Sequence, residues 1–223
     1  MRPESPACPW ARAEILRRFG SVQVRAAGTV GGSIANASPI GDLVPLFIAL
    51  GGSIELRKGE RIRVLPLEQF FIGYGKQDRE ASEFVRRLIV PRLPPATYFK
   101  AFKISKRFDE DITTVLGAFR IGVDGGRITS ARIAFGGMAA TPKRAAAVEG
   151  QLVGAALHDV GTWRLAAERV GDDFTPLTDV RASSEYRINV ARNIVIKALA
   201  EIAGISSPVT RILDSREAVH VAD

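Results

Sequence analysis

The chain has 223 residues, of which 46% are hydrophobic and 25% charged. These values are typical of a globular protein with a buried core and exclude a wholly disordered chain. The net charge of +7 comes from basic residues that occur in pairs at most, which favours a solvated surface over a nucleic-acid interface. The one cysteine, Cys8, excludes an internal disulfide and a four-thiolate metal or iron–sulfur site held by this chain alone.

The first stretch predicts a short helix over residues 11–19 and a strand over residues 21–25 that enters a glycine-rich turn. That turn, residues 28–42, reads Gly-Thr-Val-Gly-Gly-Ser-Ile-Ala-Asn-Ala-Ser-Pro-Ile-Gly-Asp. Its bare backbone admits a ligand closely, and positive φ costs glycine little. Asp42 then opens an apolar helix over residues 43–50 with a glycine stop. The pattern is compatible with an anion site at a helix N-terminus or with a plain tight turn.

A hairpin is predicted from residues 53–57 and 61–65, followed by a helical turn over 66–71 and a strand over 83–90. The side chains expected to face inward are Ile54, Leu56, Ile62 and Val64. Those expected to face solvent are Arg57, Arg61 and Arg63. The proline-rich segment 91–95 predicts a domain boundary after residue 93.

The second half predicts strands followed by helices. Strands over 97–105, 115–123 and 127–135 form a three-stranded antiparallel meander. Thr141 and Pro142 begin a helix that reaches Val153, a second helix covers 158–170, and Ser183 or Ser184 caps the longest helix. Both halves are therefore expected to be α+β, the second with a three-stranded sheet and a helix bundle.

Five motifs together resemble the flavoprotein part of the molybdenum hydroxylases, in particular the small subunit of xanthine dehydrogenases. They are residues 28–42, 70–77, 102–112, 135–142 and 179–187. The resemblance implies a PCMH-type FAD-binding α+β subdomain over residues 1–93, a C-terminal α+β domain over 94–208 and a tail over 209–223. The first FAD subdomain and the iron–sulfur domain of the family have no counterpart here, so we expect an incomplete, N-terminally truncated flavin domain.

Site residues follow from the resemblance, position by position. The residues expected to contact FAD are Thr29, Gly31, Gly32, Ser33, Asp42, the backbone of Val85, and Lys103. Ser33 stands where the family usually has asparagine. Tyr74, Lys76 and Arg107 are expected on the side of the incoming NAD. The resemblance implies no catalytic residue and no metal ligand in this chain.

The residues themselves leave other roles open. Asp42 also suits a plain helix N-cap, and Lys103 suits the solvent-facing position of a strand. Tyr74 suits a half-buried core aromatic. Asp179, Arg181 and Arg187 are interpreted as structural groups that tie a loop to the long helix.

The function implied is transfer of electrons from iron–sulfur clusters through FAD to NAD during purine hydroxylation. The partners implied are a large subunit with the molybdenum cofactor and a segment with 2Fe–2S clusters; neither nucleic acid nor membrane is expected. The longest apolar run, residues 43–50, is far shorter than the roughly 20 residues of a membrane span. No secretory signal is visible, so the expected location is cytoplasmic. The alternatives are a flavin-free assembly module and, less favoured, a basic nucleic-acid-binding protein.

Overall fold

The computed structural model describes residues 14–107 and 110–205. Cys8, Asp109, His220 and the predicted tail over 209–223 lie outside the described residues, as does the start of the first predicted helix. The first half begins with four helices: α1 Glu14–Arg17, α2 Val22–Ala27, α3 Val30–Ala35 and α4 Leu43–Leu50.

The strand predicted over residues 21–25 is wrong, because this segment belongs to α2. The Ser21 hydroxyl accepts the backbone N–H of Val24 at 3.2 Å and so caps the helix. No residue of α2 is buried. The alternation of apolar and polar residues in this segment therefore indicates neither a strand nor a buried face.

The glycine-rich stretch is also helical, since Gly31 and Gly32 lie within α3. None of its glycines has a positive φ, and the left-handed residue of the stretch is Ala37, with φ 52°. The predicted helix over 43–50 is confirmed as α4. It ends at Gly51, whose φ of 79° is the left-handed conformation that glycine adopts without strain.

The first sheet has the strand order β2–β1–β5, from β1 Ser53–Lys58, β2 Arg61–Pro66 and β5 Phe84–Ile89. The predicted hairpin is confirmed, and Ile54 and Leu56 are fully buried. Ile62 and Val64 are exposed, however, contrary to expectation. Each lies opposite an outward residue of β1, and directly paired residues of antiparallel strands share a face.

Helix α5 Leu67–Phe70 confirms the predicted turn and leads into a small hairpin of β3 Phe71–Gly73 and β4 Lys76–Gln77. The second sheet contains β6 Thr97–Ile104, β7 Val115–Asp124, β8 Arg127–Gly136 and β9 Lys143–Arg144, in that order. The meander is confirmed, with β9 as a fourth strand. Because β9 pairs with Ala134 and Phe135, the next helix begins at Ala146 and not at Thr141.

Helices α6 Ala146–Leu152, α7 Val160–Glu168, α8 Val170–Asp173 and α9 Ser184–Ile202 follow. Helices α6, α7, α8 and α9 enclose a core against one face of the second sheet, and α4 covers the other face. The α+β class is confirmed. No helix in the described part of the chain has the length and apolar character to cross a membrane.

The structural interpretation of the loop before α9 agrees with its contacts. The buried guanidinium of Arg187 donates to the Asp179 carboxylate at 2.7 Å, to the Gly137 carbonyl at 2.9 Å and to the Thr114 carbonyl. The Asp179 carboxylate also accepts the backbone N–H of Arg181 at 2.9 Å. These bonds join the loop, the long helix and the ends of β7 and β8.

A buried carboxylate ties the loop before β5 to β2. The side chain of Glu83 is 1% exposed and accepts two bonds from Arg63, at 2.8 and 2.9 Å. The Arg63 guanidinium also binds Asp78. Hydrogen bonding from Arg63 outweighs burial and holds the pKa of Glu83 at about 2, below its ordinary value of 4.5.

We expect Glu83→Gln to flatten the acid dependence of stability. Because the pKa of Glu83 is lower in the folded chain, its contribution is complete above about pH 4.5 and is lost as the pH falls toward 2. Urea unfolding between pH 7 and pH 2.5 should show a shallower fall for this variant. At pH 7 the variant should be about 1–3 kcal/mol less stable.

Glu80→Gln is the matched control, since its side chain is 44% exposed although it also binds an arginine of β2. It should follow the wild-type curve, because exposed ion pairs contribute little. Parallel curves for wild type and Glu83→Gln would contradict this account of Glu83.

Candidate functional site

The start of α3 holds four of the site residues predicted from the resemblance: Thr29, Gly31, Gly32 and Ser33. The Thr29 hydroxyl accepts the backbone N–H of Gly32 at 2.9 Å. A Cβ at Gly32 would lie 3.0 Å from the Thr29 hydroxyl, which is tight, so this glycine has a local structural reason.

Gly31 has no comparable reason within the fold. A Cβ there would lie 3.6 Å from Cγ1 of Val85, an ordinary van der Waals contact, and its φ is not left-handed. The structure thus brings Gly31 of α3 close to the Val85 side chain of β5. A bare backbone at Gly31 leaves room that the fold does not itself need, and a bound ligand is one reason for such room.

The β3–β4 hairpin lies next to this helix. The side-chain amide of Gln77 donates to the Ala35 carbonyl at the end of α3. Tyr74 lies in the turn of the hairpin and is 74% exposed, and Lys76, also exposed, begins β4 directly after that turn. The alternative role of Tyr74 as a half-buried core aromatic is therefore wrong.

Asp42 and Lys103 form a second group, in which they pair with each other. The Lys103 amino group lies 2.6 Å from the Asp42 carboxylate, and both side chains are buried. The Thr113 hydroxyl donates to the other oxygen of Asp42. The solvent-facing role considered for Lys103 is wrong, and Asp42 makes no side-chain bond to the helix that it precedes.

Two residues of this group were not found from the sequence. Arg18 donates to the Lys103 carbonyl at 3.1 Å and to the Ser105 hydroxyl at 2.9 Å, and Thr113 completes the bonding of Asp42. Thr113 directly follows the motif of residues 102–112, so extending that motif by one residue would have included it. Arg18 belongs to an ordinary basic pair and directly follows α1, so the sequence carried no such signal.

Arg107 lies on the loop after β6, apart from the buried pair. Its guanidinium is exposed and contacts Asp111 at 3.3 Å. Its backbone N–H donates to the same carboxylate at 2.7 Å, and this bond is the main reason why the pKa of Asp111 lies below its ordinary value. A cavity of about 370 Å³ opens beside this loop, lined in part by Ser105, Lys106 and Arg181.

The described residues thus offer an exposed glycine helix, an adjoining aromatic and basic hairpin, and a buried ion pair. Within the described ranges, no group of His, Cys, Asp or Glu is placed to hold a metal ion. The chemistry that these groups can perform is binding and orientation of an anionic or polar ligand.

Comparisons with protein families match nearly the whole chain. Residues 4–93 match the FAD binding domain in molybdopterin dehydrogenase, and residues 100–202 match the CO dehydrogenase flavoprotein C-terminal domain. Among solved structures, a carbon monoxide dehydrogenase from Hydrogenophaga pseudoflava has a similar chain, with a TM-score of 0.83 and 29% identity. The match covers 92% of this chain and 72% of that one.

Two curated relatives show how this similarity is distributed. The glyceraldehyde dehydrogenase medium chain of Sulfolobus acidocaldarius is 33% identical over 187 residues, which are 84% of this chain and 66% of the relative. The xanthine dehydrogenase of Oryza sativa is 38% identical over 144 residues, which are 62% of this chain and 10% of the relative. The chain therefore spans only part of each relative.

We expect Lys103→Met to destabilise the protein by about 3–5 kcal/mol, because it leaves the buried Asp42 carboxylate without its cation. Adding Asp42→Asn should recover part of that loss. Lys100→Met on the same strand is the control: the Lys100 amino group pairs with Glu201 at 3.1 Å, but the Lys100 side chain is 32% exposed. It should cost about 1 kcal/mol or less. Urea unfolding of Lys103→Met, Asp42→Asn, the double variant and Lys100→Met measures the coupling energy between Lys103 and Asp42. If the stability losses of the two single variants simply add in the double variant, the buried ion pair is contradicted.

Proposed function

Because this chain belongs to the FAD-binding flavoprotein subunits of the molybdenum hydroxylases, we propose that α3, β5 and the Asp42–Lys103 pair hold FAD. The observation that carries this proposal is Gly31, whose missing side chain the fold itself does not require. The following residues belong to the same turn of helix, where Gly32 is exposed and Ser33 is half-buried.

Each group has a distinct task in the proposed site. Thr29, Gly31, Gly32 and Ser33 would hold the diphosphate and ribityl chain, and the Val85 backbone would contact the ring. Lys103 would provide a positive charge near the ring, and Asp42 would accept hydrogen bonds from the ribityl or adenosine hydroxyls. Bound FAD would supply the electron-transfer chemistry, while these residues bind and orient it.

We propose further that the chain serves a xanthine dehydrogenase, with NAD as the electron acceptor and a purine as the substrate oxidised by a partner. The similarity to a plant xanthine dehydrogenase and the Tyr74–Lys76 turn support this choice. The other relatives named above are a glyceraldehyde dehydrogenase chain and a carbon monoxide dehydrogenase. The proposed purine substrate therefore rests on the similarity to the xanthine dehydrogenase together with the Tyr74–Lys76 motif. The proposed partners are the large subunit with the molybdenum cofactor and a segment with 2Fe–2S clusters, in the cytoplasm.

One observation favours a second candidate, a flavin-free assembly module that docks on the molybdenum subunit. Asp42 and Lys103 satisfy each other in the buried pair, so neither needs a ligand to compensate its charge. The two candidates differ in whether the purified, folded chain retains flavin.

We expect the purified chain to retain protein-shifted flavin absorbance after incubation with excess FAD and removal of the free cofactor. Gly31→Ala should weaken FAD binding about tenfold or more, a loss of about 1.4 kcal/mol per tenfold. It should not lower the melting temperature, because alanine is the better helix former and its Cβ meets only an ordinary contact.

Gly150→Ala is the matched control, since Gly150 lies in helix α6 and a Cβ there meets nothing within 4 Å. It should leave FAD binding unchanged. A folded wild-type chain that retains no flavin would support the assembly module and contradict the flavin site.

For the acceptor, we expect NADH to bind to the FAD-loaded chain and its fluorescence to change on titration. Lys76→Ala and Arg107→Ala should each raise the dissociation constant several-fold, because they remove a cation that faces the dinucleotide phosphates. Lys58→Ala, which removes an exposed cation at the end of β1, is the control. Equal binding by all variants would remove these two residues from the acceptor site.

A further inference from the structure

The cavity of about 370 Å³ beside the loop after β6 lies between the end of that strand and the start of α9, and we call it the β6–α9 cavity. Ser105 and Lys106 line it from the strand side, and Ser183 and Tyr186 from the helix side. Small-ligand pockets have volumes of about 300–1,000 Å³, so this cavity is near the lower limit. It therefore suits a ligand about as large as one nucleotide.

The β6–α9 cavity is separate from the proposed flavin site. Lys103 turns to Asp42 at 2.6 Å, whereas the next residue, Ile104, lines the cavity and packs against the core that includes α9. Consecutive residues of a strand point to opposite faces of the sheet. The cavity thus lies on the α9 side of β6, and the Asp42–Lys103 pair lies on the α4 side.

Hydrogen bonds within the protein fix the walls of the cavity. The Lys106 amino group donates to the Val180 carbonyl at 2.8 Å, which joins the loop after β6 to the loop before α9. The Ser183 hydroxyl accepts the backbone N–H of Tyr186 at 3.1 Å and so positions the first turn of α9. Because the cavity is already formed, little conformational entropy is lost when a ligand enters it.

The charges around the cavity favour an anion. Lys106 and Arg181 line it, and none of the described residues in its lining is acidic. Asp179 contacts Arg181 at 3.7 Å but binds Arg187 more closely, at 2.7 Å. Within the described ranges, the partner of Lys106 is the Val180 carbonyl and not a carboxylate. A single carboxylate therefore faces three cations, and a positive charge remains at the cavity.

Tyr186 gives the cavity an aromatic wall. Its side chain is 48% exposed, so the fold leaves much of the ring uncovered. Exposed aromatic rings of this kind stack on planar groups such as nucleobases. Thr114, which is 3% exposed, also lines the cavity and can offer a hydroxyl to a ligand. Cations, an aromatic ring and hydroxyls together suit a planar aromatic group that carries a phosphate.

We propose that the β6–α9 cavity binds a nucleoside monophosphate unit. Lys106 and Arg181 hold the phosphate, and Tyr186 stacks on the base. A free mononucleotide and one half of a dinucleotide share this chemistry. The binding does not depend on whether the chain holds flavin.

The probe is AMP, titrated into the flavin-free full chain by isothermal titration calorimetry. Binding should be saturable, and adenosine and inorganic phosphate should each bind about tenfold or more weakly, because each lacks half of the contacts. Tyr186→Leu should weaken AMP binding about tenfold, since it removes the stacking surface. Lys106→Ala should weaken the binding of AMP several-fold and leave that of adenosine unchanged.

Tyr98→Leu is the matched control, because Tyr98 lies on β6 and is 44% exposed, against 48% for Tyr186. Lys58→Ala is the control for Lys106→Ala, since Lys58 is also an exposed lysine at the end of a strand. Both should bind AMP as the wild type does. Circular dichroism and a thermal melt verify folding, and Tyr186→Phe should retain AMP binding because it keeps the ring.

Gly31→Ala separates this site from the flavin site, and it should leave AMP binding unchanged. Three results would overturn the proposal: absence of AMP binding to the folded chain, equal weakening by Tyr186→Leu and Tyr98→Leu, or weakening by Gly31→Ala without weakening by Tyr186→Leu. The last result would place AMP in the flavin site. Failure of the chain to retain FAD would leave the test unaffected.

Titration with NAD distinguishes the two sources of the ligand. If Tyr186→Leu weakens NAD binding as much as AMP binding, the cavity takes one half of a dinucleotide. If AMP binding depends on Tyr186 and NAD binding does not, the cavity takes a free mononucleotide.

Discussion

The burial of helix α4 is the constraint on which the rest of the structure depends. All eight of its residues are apolar and buried, so the polar groups at its two ends must find partners inside the protein. At its end, Arg120 donates to the Leu50 carbonyl at 3.0 Å and Arg132 to the Ile48 carbonyl at 3.1 Å. An unpaired buried carbonyl would cost about 1–3 kcal/mol, so Arg120 of the second sheet stabilises the end of the helix. The Ile48 carbonyl also accepts the Gly51 N–H at 3.0 Å, and Arg132 adds a second bond to it.

The other end of α4 explains the arrangement of the candidate site. Pro45, in the first turn, has no N–H, so a capping side chain at Asp42 has fewer donors to bind. The Asp42 carboxylate turns instead to Lys103 and Thr113 of the second half. Nearby, the Gly137 N–H donates to the Pro39 carbonyl at 2.8 Å. The segment before α4 is therefore positioned by the second sheet as much as by its own helix.

Local sequence patterns correctly predicted the elements whose hydrogen bonds are local, or whose buried face is the one that the pattern indicates. The hairpin at residues 53–65, the meander and the long helix α9 with its Ser183 cap belong to this class. The segment at residues 21–25 was predicted wrongly. The Ser21 side chain caps a helix there, and no strand of the described chain pairs with this segment. Ile62 and Val64 alternate correctly, but alternation does not say which face of a strand is covered.

The candidate site shows the same division between local and distant information. Gly31 lies close to Val85, and the FAD contacts transferred to both residues from the family stay predictions. The burial of Lys103 could not be predicted, because its partner Asp42 is 61 residues away and the strand pattern suited an exposed lysine equally well. Arg18, 85 residues from Lys103, was beyond reach for the same reason.

The packing of α4 against the second sheet also limits how the two halves of such a chain can be exchanged by recombination. Two family models meet between residues 93 and 100, which invites the view of two exchangeable modules. Yet α4 from the first range covers a face of the second sheet, and arginines of that sheet bind the end of α4. Recombination at this junction would leave each product with core side chains that fit the half of the chain it has lost and not the half it has gained. The two ranges should therefore vary together in evolution, with compensating changes across the α4 interface.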